Sequence, residues 1–182
     1  MQTAERRQQK HCSRLVETQY YAVTGKPFEE QSAQFQLPKK KAVTWTDSQS
    51  TGPAKSYQEV TATVFDEFGN PSSQDDPDGT RTVWEYYPAG GSGSDCPAEP
   101  NGSTRLLKST TRTPPHTDFD VSARTTVYRY GTHQKTPDPR VPTAVLKSEE
   151  QRQAGGRVLR KQVFTYNTSD SAEFGRLTRF TR

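Results

Sequence analysis

The sequence predicts an all-β protein whose strands form an antiparallel meander. Aromatic residues are frequent, with eight Tyr, eight Phe and two Trp, although only 29% of the 182 residues are hydrophobic. Short runs of alternating side chains, roughly eight or nine of them, recur between Gly-, Pro- and Ser-rich segments, which is typical of strands joined by turns. No stretch has the period of a convincing amphipathic helix. We therefore expect thin, half-solvated sheets without a thick apolar interior.

Each predicted strand is an alternating run that ends at a turn signal. The first run follows a polar segment, 1–12, which we expect to be frayed, and the β region then continues over 13–182. A loop with one glycine and two prolines separates the first run from the second, and a Gly/Pro-rich loop at 88–103 separates the fourth from the fifth. Proline pairs and a Gly-Gly turn bound the later runs. The predicted strands are 13–23, 41–46, 57–65, 80–87, 104–112, 122–130, 143–151, 157–166 and 175–182.

The most informative motif lies at the end of the third predicted strand. Glycine and asparagine tolerate left-handed backbone angles, and an aspartate can accept hydrogen bonds from main-chain amides two residues ahead. An aromatic-Asp-turn-Gly-Asn unit therefore predicts a chain reversal, across which we expect the strand at 80–87 to pair back. The unit and the residues that follow it are Phe65, Asp66, Gly69, Asn70, Asp78, Gly79, Trp84 and Tyr86.

Parts of this unit recur imperfectly towards the C-terminus. Tyr166 ends an aromatic strand as Tyr86 does. Gly175, Arg176 and Leu177 open the last predicted strand directly after Phe174, and this Phe-Gly pair echoes Phe68-Gly69. Repeats of this kind bury their faces against neighbouring repeats. A short array therefore needs caps or a longer parent protein, and we expect this chain to be a fragment of one.

The charge distribution is uneven. Residues 56–103 carry one basic and nine acidic side chains, whereas 104–182 carry fifteen basic and seven acidic ones. A nucleic-acid interface would require clustered Lys and Arg with stacking aromatics. Strands with one polar face produce the same alternating pattern, so we predict no nucleic-acid partner.

No motif predicts catalysis, a cofactor or a metal. Two cysteines, Cys12 and Cys96, are too few for a disulfide framework, and whether they pair is left open. The three histidines stand apart in polar segments, and the acidic run around Asp78 lacks a calcium-loop pattern. Asp118 and Asp120 are a local carboxylate pair that we interpret as a solvated loop. The chain has no apolar run long enough for a membrane span and no signal peptide at its start.

The motif unit resembles the tyrosine-aspartate (YD) repeat of rearrangement-hotspot (RHS) proteins, with Phe65 in place of the first tyrosine. A second stretch runs from Tyr86-Tyr87-Pro88-Ala89 to Cys96-Pro97-Ala98 and on to Arg105-Leu106-Leu107. In this order, it is similar to a segment of insecticidal RHS toxins related to the C component of Tc complexes. The resemblance covers most of the chain from about Tyr20 onward.

The resemblance implies a structural, non-enzymatic role. In that family the repeats form a curved sheet that winds into a large cocoon around a C-terminal toxic polypeptide. A fragment of the cocoon would be an open, curved sheet. This chain would then be a section of shell wall, with the rest of the shell and its effector as partners, secreted as part of a toxin complex. An alternative is a freestanding extracellular binding module in which Trp84, Tyr86 and Tyr87 form a platform for carbohydrate or protein. A third hypothesis is a hydrolase with a site assembled from distant His and Asp residues.

Overall fold

The computed structural model describes residues 2–9, 12–47, 55–99, 102–116, 121–133, 143–167 and 177–181. These residues form eleven β-strands and one 3₁₀ turn at Phe28–Glu30. The strands are β1 (Gln2–Gln9), β2 (Cys12–Tyr20), β3 (Pro38–Asp47), β4 (Lys55–Phe65), β5 (Pro71–Asp75), β6 (Arg81–Tyr86), β7 (Leu107–Thr113), β8 (Arg124–His133), β9 (Thr143–Gln153), β10 (Val158–Tyr166) and β11 (Leu177–Thr181).

Strand order in the sheet follows chain order. The pairings β1–β2, β2–β3, β3–β4 and β4–β5 are antiparallel, as are β7–β8, β8–β9, β9–β10 and β10–β11. The predicted all-β class and its antiparallel meander are therefore confirmed. The chain divides into two units, Met1–Thr82 and Val83–Arg182, which are called unit 1 and unit 2 below.

Strand β1 lies in the segment that the sequence predicts to be frayed. Its residues pair with β2 from Gln2 opposite Gln19 to Gln9 opposite Cys12. An antiparallel ladder is formed by main-chain N–H and C=O groups, so a polar run can join it without apolar side chains. The segment therefore contains a strand that is paired with β2.

Strand β5 is the second difference from the predicted elements. The sequence places 80–87 directly opposite the strand that ends at Phe65, but β4 pairs with β5 instead, with Ala62 opposite Asp75. The run Pro71–Asp75 has no apolar side chain after its proline, so it lacks the alternation by which strands are recognised. Two consecutive hairpins therefore replace the single long one.

Aromatic contacts occur both in the sheet of unit 1 and within the loop between β2 and β3. Trp45 and Tyr57 stand opposite each other on β3 and β4, with ring centroids 6.1 Å apart and an interplanar angle of 28°. In the loop, Phe28 meets Phe35 edge to face at 5.3 Å. Such contacts stabilise a thin sheet beyond the apolar area that they bury.

Few apolar side chains are buried in the described part of the chain. Those residues include only three buried apolar ones, Ala42, Tyr87 and Cys96. Ordinary cores are built from fully buried aliphatic and aromatic residues, so the expectation of thin, half-solvated sheets agrees with the observed burial. No helix in the described residues has the length and apolar character needed to cross a bilayer.

Candidate functional site

The turn between β4 and β5 is organised by the side chain of Asp66. Its Oδ1 accepts hydrogen bonds from the main-chain N–H groups of Phe68 at 2.9 Å and Asn70 at 2.8 Å, and its Oδ2 accepts one from Asn70 Nδ2 at 3.0 Å. Gly69 has a φ of 80°, a left-handed angle that glycine adopts without steric cost. The structure thus brings Asp66, Gly69 and Asn70 into one turn, where Asn70 is buried.

The next turn, between β5 and β6, repeats this main-chain pattern. In the first turn Asp66 N donates to Asn70 O at 2.9 Å and Gly69 N to Asp66 O at 3.1 Å; in the second, the corresponding bonds are Asp76 N to Thr80 O at 2.8 Å and Gly79 N to Asp76 O at 2.9 Å. Asp78 Oδ1 also accepts from Thr80 N at 2.8 Å. A turn closed by a left-handed glycine is a common short hairpin connection. Asp-x-x-Gly is therefore a hairpin unit used twice in succession.

The loop between β2 and β3 packs against the first turn. Gln34 Nε2 donates to Asp66 O at 2.8 Å, and a Cβ at Gly69 would lie 3.7 Å from Leu37 Cδ1. Phe65, the aromatic residue of the motif, meets the Tyr21 ring edge to face at 6.1 Å. The Asp66 turn is therefore fixed from outside as well as by its own hydrogen bonds.

The remaining motif residues lie on strands of unit 2. Trp84 and Tyr86 are half-buried on β6, two residues apart and therefore on one face of the strand. Tyr166 stands opposite Leu177 across β10 and β11, and its hydroxyl donates to Leu146 O at 2.8 Å. Leu177 is exposed. Gly175 and Arg176 lie outside the described residues, as do Asp118 and Asp120.

The Gly/Pro-rich loop after β6 folds into an ordered cover, a feature that sequence reasoning missed. Tyr87 and Cys96 are 3% and 1% exposed, and the Tyr87 hydroxyl donates to Tyr128 O at 2.9 Å. Ser92 pairs with Cys96 in an isolated bridge, and Tyr130 N donates to Asp95 O at 2.8 Å.

Burial sets the ionisation of the groups under this cover. It raises the pKa of the Cys96 thiol, an effect that the nearby Glu99 carboxylate reinforces. It also raises the pKa of the Tyr130 hydroxyl to about 12, with a further contribution from Cys96. Cys12 and Cys96 are both free. A thiol whose pKa is raised is a poor nucleophile, so Cys96 has a packing role.

Several charged side chains line a cleft of about 350 Å³ between the Gly/Pro-rich loop and one face of β8, β9 and β10. Arg129 and Ser148 are cross-strand partners there, and Glu150 stands opposite Lys161. Asp95 lies on the loop, and its Oδ1 accepts a hydrogen bond from Arg129 Nε at 2.9 Å. We call these residues, together with Lys147, Ser94 and Val163, the charged cleft.

Glu150 is the buried carboxylate of the charged cleft, with its side chain only 6% exposed. Arg152 Nε donates to Glu150 Oε1 at 2.6 Å, while Lys161 Nζ and Arg129 Nη1 lie 3.4 Å and 3.9 Å from Glu150 Oε2. The hydrogen bond from Arg152 lowers the pKa of Glu150, and Lys161 lowers it further, against the opposing effect of burial. The ionised carboxylate joins three cationic side chains of the sheet.

We expect the Glu150→Gln variant to lose about 1.5 kcal/mol of stability at neutral pH, since it loses hydrogen bonds between charged groups. A carboxylate whose folded pKa is lowered stabilises the fold above its unfolded pKa and loses that effect as the pH falls. The difference from wild type should therefore shrink below pH 4.5, the ordinary value. Urea unfolding across this range tests it. Glu149→Gln, on the adjacent residue of the same strand, is the matched control, and an equal loss in both variants would contradict the assignment.

The described residues contain no group of three or more His, Cys, Asp or Glu side chains arranged to hold a metal ion. The cations of the charged cleft are interleaved with its two carboxylates, and this arrangement suits hydrogen bonding to an anion more than metal coordination. The lysine, arginine and serine side chains of the charged cleft are hydrogen-bond donors and do not form a set of metal ligands.

No family model and no curated protein matches this chain. Among solved structures, it is similar to a porin-like protein from Bacteroides uniformis, with 9% sequence identity and a TM-score of 0.33. The similarity covers 91% of this chain, which spans 50% of the length of that protein. A similarity at this level does not define a function.

Proposed function

We propose that the chain is a structural, non-catalytic section of the wall of an RHS/YD-repeat toxin shell that encloses a toxic effector polypeptide. The observation that supports this most is the repeated hairpin unit, in which Asp66 and Asp76 begin consecutive turns with the same main-chain hydrogen bonds. A meander built from one repeated turn extends by adding strands. Such an array buries its surfaces against further repeats, as a shell wall does.

The exposed apolar side chains are a second source of support. Singly scattered apolar residues are normal on a surface, but here they greatly outnumber the buried ones in the described part of the chain. A wall section would cover part of this surface with the remainder of the shell and the effector. The exposed side chains are Val23, Phe28, Tyr57, Val64, Phe68, Val121, Val158, Leu159, Val163 and Leu177.

The alternative, a binding module with an aromatic platform, fits the structure less well. Carbohydrate platforms need exposed ring faces, whereas Tyr87 is 3% exposed, and its hydroxyl and ring contact Tyr128 and Tyr130. Trp84 and Tyr86 are half-buried. A three-ring platform is therefore not available in this conformation, which favours the structural role.

We expect the chain to protect an effector only as part of a complete shell. The experiment combines the chain with the remaining YD-repeat polypeptide of the same toxin and its effector, then follows digestion of the effector by a protease. Assemblies with the chain should leave the effector intact, whereas assemblies without it should allow digestion. The control effector, added after assembly, should be digested in both. Equal digestion with and without the chain would contradict the proposal.

The behaviour of the isolated chain is an independent check. A wall section that lacks its neighbours should associate or unfold without a sharp transition, because its strand edges and apolar side chains are uncovered. Light scattering after size-exclusion chromatography, together with thermal unfolding followed by circular dichroism, measures both properties. A monomer with a single sharp transition would favour the freestanding module instead.

A further inference from the structure

A β-bulge on strand β9 places two adjacent side chains in the charged cleft. Arg129 is opposite Ser148 but Tyr130 is opposite Leu146, so Lys147 is the extra residue of β9 at this point. Neighbouring side chains of a regular strand point to opposite faces, and a bulge interrupts this alternation and redirects a side chain. Lys147 and Ser148 therefore both line the charged cleft.

Neither side chain has a polar partner among the described residues. Ser148 is 6% exposed, and its hydroxyl makes no hydrogen bond with another described residue. Lys147 likewise has no carboxylate within ion-pair distance among the described residues, while its stem passes Gly131, where a Cβ would lie 3.7 Å from Lys147 Cδ. A buried hydroxyl without a protein partner is costly unless water or a ligand satisfies it. The bulge thus presents an ammonium and a hydroxyl to the cleft.

The charges of the other cleft residues are largely balanced. Arg129 is hydrogen-bonded to Asp95, and Lys161 lies beside Glu150. The lining as a whole carries three cationic and two carboxylate side chains, and Arg152, outside the lining, also donates to Glu150. The net charge around the cleft is therefore positive. Lys147 is the lining cation that has no carboxylate partner among the described residues, and a small anion would offset part of this charge.

We propose that the charged cleft binds a carboxylate on a short aliphatic stem, with Lys147 Nζ and Ser148 Oγ as its donors. The exposed Ser94 hydroxyl stands across the cleft as a third donor, and Val163 supplies an apolar contact for the stem. A volume of about 350 Å³ lies within the range of small-ligand pockets, about 300–1,000 Å³. A carboxylate on a short aliphatic stem occurs in the glutamate side chains of a polypeptide and in free dicarboxylic acids.

A carboxylate fits the cleft better than a phosphate does. Phosphate binding in proteins commonly relies on the bidentate fork of an arginine, and here Arg129 already donates to Asp95. The carboxylates of Asp95 and Glu150 would also repel a dianion more strongly than a monoanion. The Lys147 ammonium, which has no carboxylate partner in the described part of the chain, and the neutral hydroxyls of Ser94 and Ser148 match the smaller charge of a carboxylate.

The test uses the whole chain and three probes in calorimetric titrations at low ionic strength. One probe is glutarate, the second is a short glutamate-rich peptide with its glutamine counterpart as control, and the third is inorganic phosphate. Saturable binding of glutarate or of the glutamate peptide supports the proposal, and the tighter of the two identifies the source of the carboxylate. Tighter binding of phosphate, or binding of neither carboxylate probe, would overturn it.

Variants assign the binding to the bulge. Lys147→Gln should weaken binding of the carboxylate probe by about 10- to 100-fold, the range for a hydrogen bond to a charged group. Ser148→Ala should weaken it by about 2- to 10-fold, the range for a neutral hydrogen bond. Lys147→Arg keeps the charge and should retain most of the affinity. The control Lys108→Gln removes an exposed lysine of the same unit that pairs with Glu85 and should leave binding within about twofold of wild type. Circular dichroism shows that each variant folds. Equal losses in the Lys147 and Lys108 variants would overturn the assignment.

Discussion

Replacement of Gly91 by alanine is expected to open the loop that covers Cys96. An alanine Cβ at this position would lie 2.7 Å from Cys96 O, Pro97 C and Ala98 N, all main-chain atoms that cannot move independently, and Gly91 has a φ of 76°. Overpacking costs about 1–3 kcal/mol and a left-handed alanine about 1–2 kcal/mol. We expect unit 2 to lose about 2–5 kcal/mol of stability, the sum of the two costs.

The Cys96 thiol gives a direct measurement of this opening. It is 1% exposed, so in a Cys12→Ser background a thiol reagent should label Cys96 slowly in the wild type and rapidly in the Gly91→Ala variant. Gly93 is the matched control, because its φ is also positive, at 52°, while an added Cβ meets no atom within 4 Å. Gly93→Ala should therefore lose only the stability that the left-handed backbone angle costs, and its Cys96 should be labelled more slowly than in Gly91→Ala. Equal labelling in both variants would contradict the expectation.

Asp66→Ala is expected to have the second largest effect. The variant loses three hydrogen bonds, two from main-chain amides and one from the Asn70 side chain. Each is worth about 1 kcal/mol, and Asn70 is buried, so its amide would be left without these acceptors. We expect unit 1 to lose about 3 kcal/mol of stability and the β4–β5 hairpin to exchange its amide protons faster.

Tryptophan fluorescence can follow the unfolding of unit 1 alone. The chain has two tryptophans, of which Trp45 belongs to unit 1 and Trp84 to unit 2. In a Trp84→Phe background, urea unfolding followed by Trp45 reports on that unit. The control is Asp75→Ala, which removes a carboxylate whose ion pair with Arg81, at 3.3 Å, is more than half exposed. Exposed pairs contribute about 0–1 kcal/mol, so this control should be nearly neutral. A loss in Asp66→Ala no larger than in Asp75→Ala would contradict the role given to Asp66.

Much of the fold could be predicted because the signals are local. Alternating side chains locate β2, β4, β8 and β10 to within a few residues, and an aspartate followed by a left-handed glycine marks the first hairpin turn. Strands β1 and β5 could not be predicted in this way. Their side chains are polar, and what makes them strands is main-chain pairing with a neighbour.

The charged cleft could not be predicted because it depends on register. Arg129, Ser148 and Lys161 are far apart in the sequence, and only the pairing of β8, β9 and β10 makes them neighbours. The position of the bulge at Lys147 has no sequence signal, and a shift of one residue would turn these side chains to the other face. The Gly/Pro-rich composition of the loop at 88–103 predicts no fixed position for Asp95, which the structure places beside Arg129.

Composition and local turn chemistry were sufficient for the all-β class, the meander and the turn at Asp66, because these depend on residues within a few positions of each other. The resemblance of the repeat unit to RHS toxin shells also rests on the residues alone. Only the tertiary structure decided that Cys96 is buried, that Glu150 joins three cations and that Lys147 faces a cleft. The physical reason is that register is specified weakly where strands are polar on both faces, and a slip of one residue turns every side chain to the other face. Burial and ion pairing between distant segments therefore depend on the tertiary structure.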